Sequence, residues 1–187
     1  MAKFKVTVIV GSNRRDSINR KLAQALVKLG AAKAEFSFAQ IDDLSMYNQD
    51  HEADLPKSVA RFKAELAAAD VILFVTPEHS RSIPAVLKNA IDWGARPWGK
   101  NSWAGKIATV AGASVGAIGT AIAQAHLKNI LLAQGALVAG GEAYLTFKDG
   151  LIDADNNVTD EGTRKFLQGF VDRFVALAVR PAAAQAA

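Results

Sequence analysis

Cysteine is absent from the 187 residues. That excludes disulfides, thiol catalysis and thiolate metal sites, and it fits a cytoplasmic protein. Long apolar runs are missing too. None approaches the roughly 20 residues of a membrane span, and the opening MAKFKVTVIVGS turns polar before an export-signal cleavage site could form. Histidine is scarce: His51 and His126 have no partners at metal-ligand spacing, so no metal is expected. Aromatics make up only 7% of the chain. They form no aromatic–basic platform, and no helix-turn-helix pattern is present, so no nucleic-acid partner is expected. Glycine is thin where it would count most. The stretch VIVGSNRRDSINRKLAQAL, Val8 to Leu26, carries one glycine, with neither a G-x-G-x-x-G for a dinucleotide nor a G-K-[ST] for a nucleoside triphosphate.

What is present is an alternation of strands and helices. Lys3–Val10, Glu35–Ile41, Asp70–Thr76, Lys106–Ala113 and Ala136–Ala139 read as strands, Asp70–Thr76 being the strongest. Helices are expected from Ser17 to Leu29, from Pro56, from Pro84, from about Thr120 to Ala133, and after an Asp160 or Thr159 cap. Gly140 to Thr159 reads as irregular, with turns at Lys148-Asp149-Gly150 and Asp155-Asn156-Asn157. Residues 1–180 make one domain and residues 181–187 a disordered tail. Five strands alternating with five helices specify an α/β fold, a doubly wound five-stranded parallel sheet with helices on both faces. In such sheets ligands sit beyond the carboxyl ends of the strands, near the topological switch. Three loops leave those ends: Ser12–Asn19, Pro77–Ile83 and Ser114–Gly119.

The first loop offers Ser12, Arg14, Ser17 and Asn19 ahead of a helix, a donor set for a monoester phosphate. Its single glycine disfavours a pyrophosphate lying close over the backbone, so a mononucleotide is favoured. The second loop is stiffened by Pro77 and Pro84 and carries Glu78 and His79. The third is a small-residue turn in which Ser114 and Gly116 let backbone approach a ring closely. The formal charge is +4, with Arg14, Arg15, Arg81, Arg96 and Lys100 in or near loops. A balance of that size suits a small anion as well as a merely solvated surface. Trp93, Trp98 and Trp103 read as core or interface residues.

These stretches carry a resemblance. GSNRRDSINRKL resembles the phosphate loop G-S-x-R-x-x-S-x-N-x-x-L of the NADPH-dependent FMN reductase family. TPEHSRSIPAVLKNAIDW resembles that family's T-P-E-Y-N-x-S-x-P-x-x-L-K-N-A-I-D-W segment, and GASVGAIGTAIAQAHLKNIL is similar to its third flavin loop. MYNQD is similar to the loop after the second strand. The likeness runs from about Val6 to Leu132 and is greatest to the bacterial quinone and chromate reductases of the family.

The resemblance implies a flavodoxin-like fold, noncovalent FMN, NADPH or NADH as co-substrate, and a homodimer or homotetramer with each flavin near a subunit interface. The implied activity passes two electrons from NAD(P)H to quinones and other small acceptors, chromate among them. Carried over by position, Ser12, Arg14, Ser17, Ile18 and Asn19 hold the FMN phosphate. Pro77, Glu78, His79, Ser80 and Arg81 line the isoalloxazine, and Ser114 and Gly116 complete the pocket. No side chain serves as a general acid or base. The chain departs from the family where Tyr-Asn usually follows Pro-Glu, having His79-Ser80 and then Arg81. A flavodoxin-type electron carrier that does not react with pyridine nucleotide is the alternative. The residues do not separate NADPH from NADH, nor one acceptor from another.

Overall fold

The computed structural model describes residues 3–178. The expected disordered tail therefore lies outside the described residues. Six strands and five α-helices follow one another as β1 (Phe4–Val10), α1 (Ile18–Gly30), β2 (Ala34–Ala39), α2 (Lys57–Ala68), β3 (Val71–Val75), α3 (Ala85–Ala95), β4 (Ile107–Ser114), α4 (Ala121–Ala133), β5 (Leu137–Val138), β6 (Tyr144–Thr146) and α5 (Glu161–Ala178). The sheet is parallel throughout, in the order β2-β1-β3-β4-β5, with β6 also paired to β4.

Strand composition explains the order. All five residues of β3 (VILFV) are buried, as a strand covered on both faces requires. Val71, Leu73 and Val75 point into one core with Leu22 and Leu26 of α1 and Phe170 and Phe174 of α5. Ile72 and Phe74 point into the other, with Phe62 and Leu66 of α2, Leu87 and Trp93 of α3, and Leu127 of α4. Each fully buried side chain of this size stabilises by about 1.5–3 kcal/mol. Trp93 and Trp103 belong to the second core, and their indole N–H groups donate to Ser45 and Ile91 carbonyls. Trp98, by contrast, is 87% exposed.

One expectation is corrected. The segment read as irregular contains β6, which with β5 forms the outer lane of the sheet in two pieces. Leu137 and Val138 pair with Ile107 and Ala108, and Tyr144–Thr146 pair with Gly112–Ser114. Gly140 and Gly141 lie between them, Gly141 at φ +105°, a value that favours glycine. The alternation Ala143, Leu145, Phe147 faces inward, a period-2 signal masked by its brevity and its glycine neighbours. At the start of α5, Asp160 is the cap: its carboxylate accepts from the Thr163 N–H at 2.7 Å.

Candidate functional site

The topological switch falls between β1 and β3, whose following helices go to opposite faces of the sheet: α1 to the first core, α3 to the second. Their loops therefore part at the carboxyl end of the sheet, and the loop after β4 completes the rim.

The first loop leaves its donors free. Ser17 caps α1, its Oγ accepting from the Arg20 N–H at 3.3 Å. Ser12 Oγ accepts weakly from the Arg14 N–H at 3.4 Å. Among the described residues, the N–H groups of residues 12, 13 and 15–19 find no acceptor. The first turn of α1 contains no acidic side chain, so the positive helix end is not neutralised from within. Arg14, Arg15 and Arg20 are exposed and, among the described residues, in no ion pair. The unspent N–H groups, the Ser12 and Ser17 hydroxyls and the Arg14 guanidinium fit a phosphate monoester. Asn19 serves differently: its amide is buried, with Nδ2 donating to the Ala113 carbonyl at 2.8 Å and Oδ1 accepting the Ala113 N–H at 2.9 Å. It pins the start of α1 to the end of β4. Ile18 is half-buried and packs against the first core.

The second loop is a tight hairpin. His79 and Ser82 exchange both backbone hydrogen bonds at 2.9 Å. The two residues between them, Ser80 and Arg81, have φ of +50° and +61°, as a type I′ turn requires. Each such residue carries a backbone cost of roughly 1 kcal/mol or more that glycine would not. The side chain of Glu78, 9% exposed, accepts from the Ile122 and Ala123 N–H groups at 3.1 Å each, and from Arg81 Nη1 at 3.1 Å. It caps α4, for which Thr120 supplies no side-chain hydrogen bond, and it tethers the hairpin's cation. The N–H groups of Glu78, Ser80 and Arg81 find no acceptor among the described residues, while that of His79 is spent within the turn.

The third loop is self-bonded. Ser114 Oγ donates toward the Gly119 carbonyl at 2.7 Å and accepts from the Gly116 N–H at 3.2 Å. From β6, Thr146 Oγ1 reaches the Gly116 carbonyl at 3.3 Å, and the Phe147 N–H donates to the Ser114 carbonyl at 2.8 Å. Beneath lies a close-packed layer: a Cβ on Gly112 would meet Thr120 Oγ1 and the Thr76 carbonyl at 2.2 Å. On Gly116 a Cβ would meet nothing nearer than Ser114 Oγ at 3.6 Å. Packing does not demand that glycine, whereas a ligand lying close over the loop would.

Glu78, Ser80, Arg81, Ser114 and Gly116 line one cleft of about 470 Å³, with Ala117, Ile118 and Gly119. Pro77 and His79 stand outside its wall. The side chains of Val115 and Ile118 are exposed beside it. The supporting layer of Thr120, Gln124 and Ala143, hydrogen-bonded through the Gln124 amide, escaped the sequence reading, because Gln124 on a helix looks like an ordinary surface residue. No three His, Asp or Glu side chains come together as a metal site among the described residues, and no helix there is long and apolar enough to cross a membrane.

Comparison with known proteins finds relatives along most of the chain. A family model for NADPH-dependent FMN reductase matches residues 4–149. A 2-hydroxy-1,4-benzoquinone reductase from a Burkholderia species is 47% identical over 174 residues, spanning 92% of this chain and 95% of that protein. A quinone reductase from Pseudomonas putida is 42% identical over 173 residues, spanning 91% and 92%. Among solved structures, FerB, a flavoenzyme NAD(P)H:(acceptor) oxidoreductase from Paracoccus denitrificans, superposes with a TM-score of 0.91 at 50% identity, covering 94% of this chain and 97% of that one.

Proposed function

The chain belongs to the NADPH-dependent FMN reductase family, and on that premise we propose that it is an FMN-dependent oxidoreductase carrying two electrons from NAD(P)H to quinones. The observation that carries the reading is the first loop. Unspent N–H groups, the Ser12 and Ser17 hydroxyls and the Arg14 guanidinium sit together at an unneutralised helix N-terminus. That is what a single phosphate dianion needs. Bound there, FMN would supply the two-electron redox chemistry between NAD(P)H and a quinone.

The chain's own residues do the rest. Ser12, Arg14 and Ser17 hold the phosphate, and Asn19 fixes their loop against β4. The N–H groups of Glu78, Ser80 and Arg81, without acceptors among the described residues, would stabilise negative charge on a ring held in the cleft. Glu78 keeps the hairpin docked on α4. The third loop forms a low floor at Gly116, Pro77 leads into the hairpin, and His79 closes its turn by pairing with Ser82.

Acceptor preference follows from what surrounds the cleft. Val115 and Ile118 offer apolar surface, and Arg81, two-thirds exposed, offers a cation. That combination suits a flat ring bearing an anionic oxygen. The Burkholderia relative is named for 2-hydroxy-1,4-benzoquinone, whose hydroxyl is a vinylogous acid. Arg81→Ala is expected to lower kcat/KM for the hydroxyquinone by up to about fivefold relative to 1,4-benzoquinone, an exposed charge pair being worth up to about 1 kcal/mol. Chromate is a further anionic acceptor that the same cations would attract, with an attraction that weakens as salt rises. Trp98 lies on a cleft shared with Arg96, Asn101 and Gln134, and a second copy of the chain would bury it in a homodimer or homotetramer. Light scattering on Trp98→Arg tests that assembly.

The deciding experiment is anaerobic. Purified protein is loaded with FMN, NADPH or NADH is added, and the flavin's visible band is followed. Bleaching that a quinone reverses supports the proposal. Bound flavin that neither nucleotide bleaches would make the protein an electron carrier instead, and failure to retain FMN would remove the phosphate reading itself.

A further inference from the structure

A second cavity adjoins the phosphate loop and shares Ser12 with it, while its other lining residues have no part in the function proposed above. It measures about 290 Å³ and lies between the first turn of α1 and the end of β2, lined by Ser12, Arg20, Phe38, Gln40 and Asp42 among others. Its chemistry is mixed in a particular way. Phe38 shares the face of β2 on which Ala34 is buried and Phe36 partly buried, but it stands at the strand's carboxyl end and is left 41% exposed. Arg20 and Asp42 line the same cavity with opposite charges, yet among the described residues they pair neither with each other nor with any other side chain. A bare aromatic face, a free guanidinium, a free carboxylate and a side-chain amide therefore converge with their bonding capacity unspent.

We propose that this cavity receives the adenosine half of the pyridine nucleotide. Adenine lies on the Phe38 ring with the Gln40 amide at its edge, a ribose hydroxyl donates to Asp42, and Arg20 takes a phosphate oxygen. An acidic residue beyond the second strand bonds the ribose in other dinucleotide-binding sheets, by the same donor–acceptor logic. Spacing is suitable. The cavity lies over β1 and β2 and the ring cleft over β3 and β4, two strand separations or roughly 10 Å away. A dinucleotide would bridge them by passing over the first loop. That path accounts for three guanidiniums, Arg14, Arg15 and Arg20, where one monoester needs fewer.

The inference rests on the NAD(P)H reading, so its test separates the two. ADP-ribose is titrated into the FMN-loaded protein by calorimetry, and turnover is measured with NADH and with 1-benzyl-1,4-dihydronicotinamide, a hydride donor that has no adenosine. We expect ADP-ribose to bind the wild type and to compete with NADH but not with the benzyl donor. Phe38→Ala and Arg20→Glu should each weaken ADP-ribose binding and raise the KM for NADH about tenfold or more, as loss of a charge-assisted bond or a stacked ring does, while the KM for the benzyl donor moves far less. Arg20→Glu, on the exposed side of α1, decides the matter should Phe38→Ala not fold. Asp42→Asn should shift the NADPH-to-NADH ratio of kcat/KM toward NADPH by removing a carboxylate that repels a 2′-phosphate. No ADP-ribose binding to the wild type, or binding indifferent to both variants, overturns the proposal while the reductase reading stands. If neither donor bleaches the flavin, the reductase reading falls and the proposal falls with it.

Discussion

The loop after β1 and the loop after β4 stand on the same rim and are built on opposite plans. Among the described residues, the first leaves most of its N–H groups without an acceptor and its arginines outside any ion pair. The other spends its hydroxyl and its carbonyls on itself, with Ser114 closing on Gly119 and Thr146 of β6 holding Gly116 from outside. Free donors are what a charged phosphate must find, since each bond to it replaces one to water. A ring needs shape instead, so the surface beneath it is best made rigid and low. The hairpin after β3 lies between these plans, closed within its turn yet with three N–H groups that find no acceptor among the described residues.

Breaking the rigid side should have the larger effect. Gly112→Ala places a methyl group 2.2 Å from a backbone oxygen and from Thr120, and neither can give way cheaply. We expect a loss of about 3 kcal/mol, at the upper end for overpacking, read by urea denaturation, with FMN retention falling in step. Breaking the open side should separate binding from stability. Arg14→Ala should raise the Kd for FMN about 10-fold to 100-fold, the worth of a hydrogen bond to a charged group, while the melting temperature of the apoprotein barely moves. If both variants lost stability and flavin together, the distinction between the loops would fail.

Acid sharpens the contrast between site and scaffold. Several scaffold carboxyls are held below their ordinary range: Glu52 by the Tyr47 hydroxyl and then Arg96, and Asp172 by Lys33 and then Gln168. A lowered folded-state pKa means that the folded form binds fewer protons than the unfolded one near pH 4. The stability these groups contribute is present above the unfolded value and disappears as pH falls through the folded one. Melting temperatures should therefore be flat from about pH 7 to 5 and drop below about pH 4, while Glu52→Gln flattens part of that drop. The smallest expected effect is a gain. Ser80→Gly removes one left-handed non-glycine residue from the hairpin, offset by greater freedom in the unfolded chain, for a net rise of about 0.5 kcal/mol in thermal unfolding.

Much of this was legible in the residues. Strands β1 to β5, every helix and all three loops could be read because parallel strands and amphipathic helices leave strong periodic patterns, and because Ser17 caps where a cap belongs. What stayed hidden depended on partners far along the chain. Glu78 looks like a residue turned toward the ligand, but its carboxylate is committed to the α4 N-terminus, 44 and 45 positions later. Asn19 looks like a phosphate donor, but it bonds Ala113, 94 positions away. The cavity beside Phe38 was invisible because a phenylalanine in an alternating strand reads as core until the strand is seen to outrun its helix.

The split outer lane has a consequence for how this protein meets other chains. Neither β5 nor β6 exceeds three residues, and the interruption at Gly140 and Gly141 leaves no long row of backbone groups on that flank. A stray extended segment finds no template there. The six-residue edge of β2 is the longer one, so strand addition or edge-to-edge aggregation in this fold would begin at β2, next to the cavity beside Phe38. A ligand seated in that cavity would therefore also guard the sheet's weaker border.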